Sequence, residues 1–364
     1  MTSSSARVEV LNSSHQKRWD EAFASLPSDL RDINFAYVYN RLYELNGEGE
    51  LQLFLYSEED ELYFYPFLLK TIKHKLSDEV YRDIETVYGY SGPLSGSSDP
   101  SFIERAMHAF KRYCEEQNVV CEFIRFHPII KNHKLNPVDP NLKIVPLRDY
   151  VYVDLTNDEQ VIWDEYSSQN RNKIRKAEKL GVKVLAGINE STYKEFVQMY
   201  LENMRQVNAA PMYLFSDIFF SELSKIVQSD GVFFAAQHEG KTIGAAVFLG
   251  GTAIGHYFLA AASSEGKKLA AGNLLLHHGI KWAKQNGMKK LHLGGGVSED
   301  LNDPLLVFKK NFSHQMEKFY IGKRVHNDEV YNALVTDWDL RFPEDAGKYK
   351  NILQRYRWTK KDIV

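Results

Sequence analysis

Two arginines are the first residues whose type and spacing suggest chemistry. The pattern from Asp158 to Leu180 predicts one helix, with Arg171 and Arg175 on a face roughly opposite its apolar face. Such a row could bind a diphosphate or a sugar nucleotide, because guanidinium groups pair with phosphate oxygens. An alternative stays open, since acidic residues at the start and basic residues at the end of this segment complement the helix dipole, and Gly181 suits a C-cap.

A second candidate site lies in Leu291-His-Leu-Gly-Gly-Gly, where an apolar strand runs into Gly294, Gly295 and Gly296. Glycine leaves the backbone N–H groups bare, so these groups can approach an anion or a carbonyl of a donor substrate. A simple tight turn is the alternative. In the Asp303-Pro pair that follows, we expect Asp303 to cap a helix with proline at its first position.

The N-terminal half offers a further group of candidates. The strand that ends near Phe126 carries Arg125 and is followed by His127 on the same face, so an arginine fork for phosphate or carboxylate lies beside a possible proton acceptor. A structural role before the following proline is the alternative for His127. Tyr88 and Tyr90 could stack on a sugar or base, or belong to an aromatic core.

Composition narrows the class of protein. At 364 residues the chain exceeds the size of about 250 residues at which single cores stop growing, so two domains are expected. The net charge of −3 argues against a general binding surface for DNA. Two cysteines suggest no disulfide framework, and the N-terminus lacks a signal peptide, so we expect a cytoplasmic location. No HExxH or CxxC motif or acidic cluster occurs, and we expect no metal centre.

The predicted elements divide into two halves of similar order. Each half has a β-meander, a crossover helix ending in Gln-Asn (Gln117-Asn118 and Gln285-Asn286) and an apolar strand. The segment 127–148 is interpreted as a surface connection. This order predicts an α/β (α+β) fold of two domains, residues 1–155 and 156–364, each a mixed twisted sheet flanked by helices, and the second domain carries a C-terminal α/β extension.

One stretch has the charge pattern of a membrane span. Residues 242–264 contain no Asp, Glu, Lys or Arg. Gly250-Gly251-Thr252 divides the stretch into two short β-rich runs, however, and therefore predicts a buried hairpin and no transmembrane segment.

Several motifs together resemble the FemAB-like branch of the GNAT acyltransferase superfamily. They are Ser168-Gln-Asn-Arg-Asn-Lys-Ile-Arg-Lys-Ala-Glu-Lys, Leu291-His-Leu-Gly-Gly-Gly and Asp303-Pro-Leu-Leu-Val-Phe-Lys-Lys-Asn-Phe. Tyr88-Gly-Tyr-Ser-Gly-Pro-Leu and Glu122-Phe-Ile-Arg-Phe-His-Pro resemble the subset associated with surface-polysaccharide or cell-wall biosynthesis. The resemblance spans nearly the whole chain and implies two tandem GNAT-type domains. The coiled-coil arm of some bridge-forming members is absent from the sequence.

The resemblance also implies roles for individual residues. Phe308 and Lys309 match a Phe-Lys pair at the catalytic centre of relatives, where Lys309 would stabilise an oxyanion or a substrate charge. The alternative is that Lys309 is a solvated lysine beside Lys310. Arg205 matches an anion-binding arginine loosely. The stretch Gly266-Lys-Lys-Leu-Ala-Ala-Gly-Asn departs from the coenzyme A pattern of GNAT proteins, so Lys267 and Lys268 are either phosphate ligands of the donor or solvated loop charges.

Three functions fit these observations. The first is an N-acyltransferase that moves an acyl group from acyl-CoA to the amine of an amino sugar, carried on a nucleotide, or of a cell-wall or surface-glycan precursor. The second is an aminoacyl transferase that draws on aminoacyl-tRNA and acts on a peptidoglycan precursor. The third is a non-catalytic glycan-binding protein. The acyl group, the acceptor, the general base and the oligomeric state are left open by the sequence.

Overall fold

The computed structural model describes residues 6–73, 78–135 and 139–360. The strands are, in chain order, β1 (Arg7–Asn12), β2 (Glu50–Glu58), β3 (Glu61–Thr71), β4 (Arg82–Glu85), β5 (Leu94–Ser95), β6 (Val119–Arg125), β7 (Leu142–Asp154), β8 (Lys183–Ala186), β9 (Gly231–His238), β10 (Lys241–Gly250), β11 (Ile254–Ala262), β12 (Lys290–Gly295) and β13 (Met316–Val325).

The helices complete the set of elements. They are α1 (Gln16–Ser25), α2 (Tyr37–Leu45), α3 (Pro100–Glu116), α4 (Glu159–Glu165), α5 (Ser168–Lys179), α6 (Glu190–Gln206), α7 (Asp217–Asp230), α8 (Ser264–Lys268), α9 (Ala271–Gln285), α10 (Pro304–Lys310), α11 (Asp328–Arg341) and α12 (Pro343–Tyr349).

Two compact units divide the chain differently from the predicted domains. The first unit contains Met1–Leu30, Asn34–Leu147 and Phe319–Val364, and the second contains Arg31–Ile33 and Arg148–Lys318. The predicted C-terminal extension therefore groups with the N-terminal unit. The physical reason is a shared core, in which Trp338 and Leu334 of α11 are buried together with Val120 and Cys121 of β6.

The sheet of the first unit has the order β1-β2-β3-β4-β6-β13, with β5 paired to β3. Strands β1 to β4 are antiparallel neighbours, β4 and β6 are parallel, and β6 and β13 are antiparallel. Helix α3 makes the crossover and buries Phe102, Phe110 and Tyr113 against the aromatic side chains of β2 and β3. The predicted surface connection 127–148 is partly wrong, because β7 already begins at Leu142.

The sheet of the second unit has the order β7-β12-β11-β10-β9-β8. Strands β8 to β11 form an antiparallel run, β11 and β12 are parallel, and β12 and β7 are antiparallel. Helix α9 makes the crossover and buries Leu274, Leu275 and Ile280 in the core beneath β10 to β12. The repeated order of meander, crossover helix and strand, with a mixed sheet in each unit, confirms the predicted α/β class.

The predicted helix over 158–180 is two helices. The chain is extended at Tyr166 and Ser167, and the Ser167 hydroxyl caps α5 by accepting a hydrogen bond from the Asn170 N–H. Serine is among the best N-cap residues, and this local preference overrides the continuous helical pattern. The predicted C-cap is confirmed, since Gly181 has φ +84° and follows the last turn of α5.

The uncharged stretch 242–264 forms the predicted hairpin of β10 and β11, which pair from Gly244–Ala262 to Gly250–Gly255. At its turn, a Cβ on Gly251 would lie 2.9 Å from the Arg31 carbonyl oxygen, so only glycine fits there. Among the residues that the structure describes, no helix has both the length and the apolar character that a bilayer crossing requires.

Candidate active site at the end of strand β12

Strands β11 and β12 separate in the middle of the second unit. They pair in parallel from Ile254–Lys290 to His256–His292. Beyond that point β11 continues along β10, whereas β12 continues along β7 to Gly295 and Tyr150. Parallel neighbours that diverge leave backbone groups turned toward the gap, and such a gap in a sheet is a place where a ligand can insert.

Each of three consecutive glycines at the end of β12 makes room for one charged side chain. A Cβ on Gly294 would lie 2.9 Å from Lys309 Nζ, one on Gly295 would lie 3.2 Å from Arg148 Cδ, and one on Gly296 would lie 2.7 Å from Asp303 Cγ. We call the residues Gly294–Gly296, Lys309, Arg148 and Asp303 the triglycine site. Its glycines are needed for close approach, and Gly294 also has φ +85°.

Lys309 is the titratable centre of the triglycine site. Its side chain projects from the last turn of α10, its residue exposure is 7%, and its Nζ donates a hydrogen bond of 2.6 Å to the Gly295 carbonyl oxygen. Burial lowers the pKa of Lys309 to about 7, with Arg148 acting in the same direction and Asp303 opposing both. Near neutral pH the amine is therefore present in both its charged and its neutral form.

Asp303 has the capping role predicted for it and a second role besides. Its Oδ1 accepts hydrogen bonds from the N–H groups of Leu305 and Leu306, which begin α10. Its Oδ2 accepts from the Val297 N–H and from the N–H and hydroxyl of Ser298. Burial favours a higher pKa for Asp303, but the hydrogen bonds outweigh burial and lower the pKa. The carboxylate thus ties the loop after β12 to the helix that carries Lys309.

Arg148 was missed by the sequence reasoning. It stands at the end of the segment interpreted as a surface connection, whereas the structure places it in β7 opposite the glycines. Its Nη1 donates hydrogen bonds to the carbonyl oxygens of Gly296 (2.9 Å) and Val297 (3.3 Å). The glycine carbonyls therefore face cations. The predicted role of Gly294, Gly295 and Gly296 in donor binding through their N–H groups stays a prediction.

A row of buried aromatic and acidic side chains lies beside the triglycine site. The His292 ring stacks on Tyr150 with 4.7 Å between ring centroids, and the His256 ring lies 5.6 Å from His292. His256 Nε2 is 2.8 Å from Asp32 Oδ2. Sequence spacing could not reveal this row, because Asp32 and His256 are separated by more than half of the chain.

Asn170 in α5 and Ser167 just before this helix make hydrogen bonds that position Lys309. Asn170 Nδ2 donates to the Asn311 carbonyl oxygen at the end of α10 (3.1 Å), and Asn273 Nδ2 of α9 donates to Asn170 Oδ1 (2.8 Å). Ser167 Oγ donates to Asn311 Oδ1 (2.8 Å). These hydrogen bonds fix α10 between α5 and α9, and therefore fix the helix that presents Lys309.

The two arginines of the predicted phosphate-binding row have partners within the helices. Arg171 Nη1 donates to the carbonyl oxygens of Asp164 and Tyr166, where α4 ends. The exposed guanidinium of Arg175 lies over the Trp163 ring, 5.4 Å from its centroid. The break between α4 and α5 gives Arg171 this capping role. Substrate binding by Arg171 and Arg175 stays a prediction.

The remaining candidates of the second unit are mostly exposed. Lys267 and Lys268 lie in the last turn of α8, and Arg205 lies in the last turn of α6, where basic residues complement the helix dipole. Phe308 packs against the core, with its ring 5.5 Å from Phe312. The roles predicted for these residues in donor binding, anion binding and catalysis are neither supported nor contradicted by these contacts.

In the first unit, Arg125 is engaged by its own sheet. Its Nη2 donates to Glu85 Oε1 and its Nη1 to the Thr86 carbonyl oxygen, both at 2.8 Å. Its guanidinium also lies over the Phe123 ring. The predicted binding of a substrate anion by Arg125 would have to compete with Glu85.

His127 and Tyr90 are in contact in the structure, and the sequence did not predict this contact. His127 is buried, and its ring lies 5.9 Å from Tyr90 in an edge-to-face contact. The backbone N–H of His127 donates to Asn132 Oδ1 (2.7 Å), a contact typical of a structural loop residue. The Tyr88 carbonyl oxygen accepts a hydrogen bond from Tyr39. Catalysis by His127 and ligand stacking by Tyr88 and Tyr90 stay predictions.

Comparison with known proteins defines the class. Residues 166–302 match a family model described as an acetyltransferase (GNAT) domain. The described fold is similar to the crystal structure of FemX, with a TM-score of 0.69 and 13% identity over 89% of this chain and 99% of that chain. Together with the relative described next, these findings confirm the resemblance to the FemAB-like branch of the GNAT superfamily, and they support a transferase activity.

A particular relative adds detail. UDP-N-acetylmuramoylpentapeptide-lysine N(6)-alanyltransferase of Weissella viridescens is 25% identical over 280 residues, which are 70% of this chain and 80% of the relative. The C-terminal domain of a putative lysylphosphatidylglycerol synthetase from Agrobacterium fabrum shares the fold, with a TM-score of 0.51 and 12% identity over 86% of this chain and 93% of that chain.

Proposed function

We propose that the protein is an aminoacyl transferase that moves an aminoacyl group from aminoacyl-tRNA to a primary amine of a peptidoglycan precursor. The observation that carries the proposal is the buried amine of Lys309, with a pKa of about 7, at the strand end where β11 and β12 diverge. The relative from Weissella viridescens supports the choice of substrates, because its name describes the transfer of alanine to a lysine of UDP-N-acetylmuramoylpentapeptide.

The reaction requires a positive group beside the carbonyl oxygen on which negative charge develops. The acceptor nitrogen forms a bond to the ester carbonyl carbon, and the carbonyl electron pair moves to oxygen. Collapse of this intermediate breaks the ester bond, the nitrogen loses a proton, and the leaving ribose oxygen takes one up. We assign to the Lys309 ammonium the stabilisation of the oxyanion, since a charge in a water-poor site acts more strongly than in solvent.

The donor assignment rests on the segment between β11 and α9. In coenzyme A-dependent GNAT proteins this segment is expected to cradle a pyrophosphate, but here it contains the short helix α8, capped by Ser263. A Cβ on Gly266 would lie 1.9 Å from the Ile243 carbonyl oxygen, so α8 is packed directly on β10. The departure from the coenzyme A pattern favours a different donor.

A second candidate function is the transfer of an acyl group from acyl-CoA to an amino sugar. It was the first choice from the sequence, and the match of residues 166–302 to an acetyltransferase domain favours it. The two candidates share the acceptor chemistry of a primary amine and differ in the leaving group, which is a ribose oxygen in one case and a thiolate in the other.

Product formation with defined donors tests the proposal. Purified protein is incubated with radiolabelled alanyl-tRNA and UDP-N-acetylmuramoylpentapeptide, and in parallel with acetyl-CoA and a UDP-linked amino sugar. We expect an amide product from the first mixture that disappears after ribonuclease treatment and falls steeply with salt. Release of coenzyme A with the amino sugar, and no ribonuclease-sensitive product, would favour the second candidate and refute the first.

A further inference from the structure

A buried N–H group of Arg148 lies at the triglycine site without an acceptor. The Arg148 side chain is held in place, because its Cδ packs on Gly295 and its Nη1 donates to the Gly296 and Val297 carbonyl oxygens. Its Nε is buried and has no hydrogen-bond partner within residues 6–73, 78–135 and 139–360. A buried cationic donor without an acceptor is costly, and such a group in a cleft often marks the place of a ligand atom.

The carboxylates near Arg148 are occupied by other groups. Asp303 uses both oxygens for hydrogen bonds to the loop after β12 and to the start of α10. Asp149, the next residue in β7, forms an ion pair with Lys318 at 2.8 Å. Arg148 and Lys309 therefore lie at the same three glycines, and the nearby carboxylates do not balance the charge of both cations.

We infer that the Arg148 Nε–H and the Lys309 Nζ together form an oxyanion-binding seat, which holds the carbonyl oxygen of the donor as it becomes negatively charged. Arg148 is then a catalytic residue in its own right. Two converging donors at fixed positions are the usual arrangement for stabilising a tetrahedral intermediate. The effect of Arg148 on Lys309 supports the pairing, since Arg148 contributes to the lowered pKa of Lys309.

The glycines make room for this seat. Gly294 admits the Lys309 amine and Gly295 admits the Arg148 side chain, and a Cβ at either residue would occupy that space. Other titratable groups lie on the elements around the seat. They are Asp303 before α10, Asp149 in β7, Lys318 in β13 and His292 in β12.

The inference rests on the proposed function for its substrate, but the seat itself can be measured without turnover. The probe is inorganic sulfate, and the readout is the pKa of Lys309 followed by ¹⁵N NMR of its Nζ. In the wild type, sulfate should raise this pKa from about 7 to about 8 or above, because an anion beside the ammonium favours the charged form. An unchanged pKa at saturating sulfate concentration would overturn the inference.

Variants separate the two cations. Arg148→Gln should itself raise the pKa of Lys309, because a neighbouring positive charge is lost, and should remove most of the sulfate effect. Arg148→Lys keeps the charge but lacks the Nε–H group, so the pKa of Lys309 should stay low while sulfate binds more weakly. Lys310→Gln is the matched control and should behave as the wild type. An identical sulfate effect in Arg148→Gln and the wild type would show that Arg148 takes no part.

Turnover gives an independent second readout. With a competent donor and acceptor, Arg148→Gln should lower kcat by about 100-fold, the scale of one lost oxyanion donor, and leave the acceptor KM nearly unchanged. A raised KM with an unchanged kcat would contradict the assignment. If no donor tested supports amide formation, the proposed function fails, whereas the sulfate titration still decides whether the seat exists.

Discussion

Replacing Lys309 by methionine should make the protein more stable below neutral pH. Lys309 is a buried lysine whose pKa is lowered to about 7, mainly by burial. Methionine has a similar length and no charge, so it fills the space without the cost of desolvating an ammonium group. A residue that is kept at the expense of stability is expected at a functional site.

The magnitude follows from the difference in pKa between the folded and unfolded states. The unfolded lysine has a pKa of 10.5 and the folded one a pKa of about 7, so the unfolded state binds more protons between these values. The wild type therefore gains stability as pH rises through this window, by about 5 kcal/mol over the whole window and by about 3 kcal/mol between roughly pH 6 and pH 9.5. The variant loses the hydrogen bond to Gly295, at a cost of about 1 kcal/mol.

Urea unfolding of both proteins at about pH 6 and pH 9.5 measures this difference. We expect Lys309→Met to be more stable than the wild type at the lower pH by about 3–4 kcal/mol, and most of that advantage to vanish at the higher pH. Lys310→Met, at the adjacent and less buried position, is the control and should show no such pH dependence. A Lys309→Met variant that differs from the wild type by the same amount at both pH values would refute the lowered pKa.

Three further predictions concern the groups around Lys309. Gly294→Ala should lower the stability more than Gly287→Ala does. Both glycines have positive φ, where alanine costs about 1–2 kcal/mol, but only a Cβ at Gly294 meets another side chain. Equal losses of stability in urea unfolding would contradict this. Asp303→Asn should lower the free energy of unfolding by about 2 kcal/mol, because the amide group replaces one of the two accepting oxygens by a donor. A decrease below about 0.5 kcal/mol would argue that Asp303 does not hold the loop after β12 to α10. Arg171→Gln should lower stability by about 1–2 kcal/mol and leave the acceptor KM unchanged, because Arg171 caps α4; a raised KM at unchanged stability would return Arg171 to the predicted substrate-binding row.

The fold was predictable because its signals are local. Alternating strands, glycine-marked turns and crossover helices ending in Gln-Asn specify the two similar sheets. The break between α4 and α5 was missed, because an amphipathic pattern can continue across a serine that caps a new helix. The grouping of α11 with β6 depends on burial of Trp338, and sequence order alone gives no sign of that long-range contact.

The site was predictable only in part. The motifs pointed to Gly294–Gly296 and Lys309, which the structure brings together. Arg148 could not be found, because its place opposite the glycines depends on the register of β7 and β12 and on a bulge between His292 and Gly294. The glycines were expected to present N–H groups, whereas the carbonyl oxygens of Gly295 and Gly296 accept hydrogen bonds from Lys309 and Arg148.

The central claim is that the Lys309 amine takes part in amide formation, and single-turnover transfer of a radiolabelled aminoacyl group tests it most directly. With Lys309→Ala, the rate constant of the chemical step should fall at least tenfold, equivalent to about 1.4 kcal/mol of barrier, while Lys310→Ala reacts at the wild-type rate. A Lys309→Ala variant that forms the amide as fast as the wild type would contradict the account.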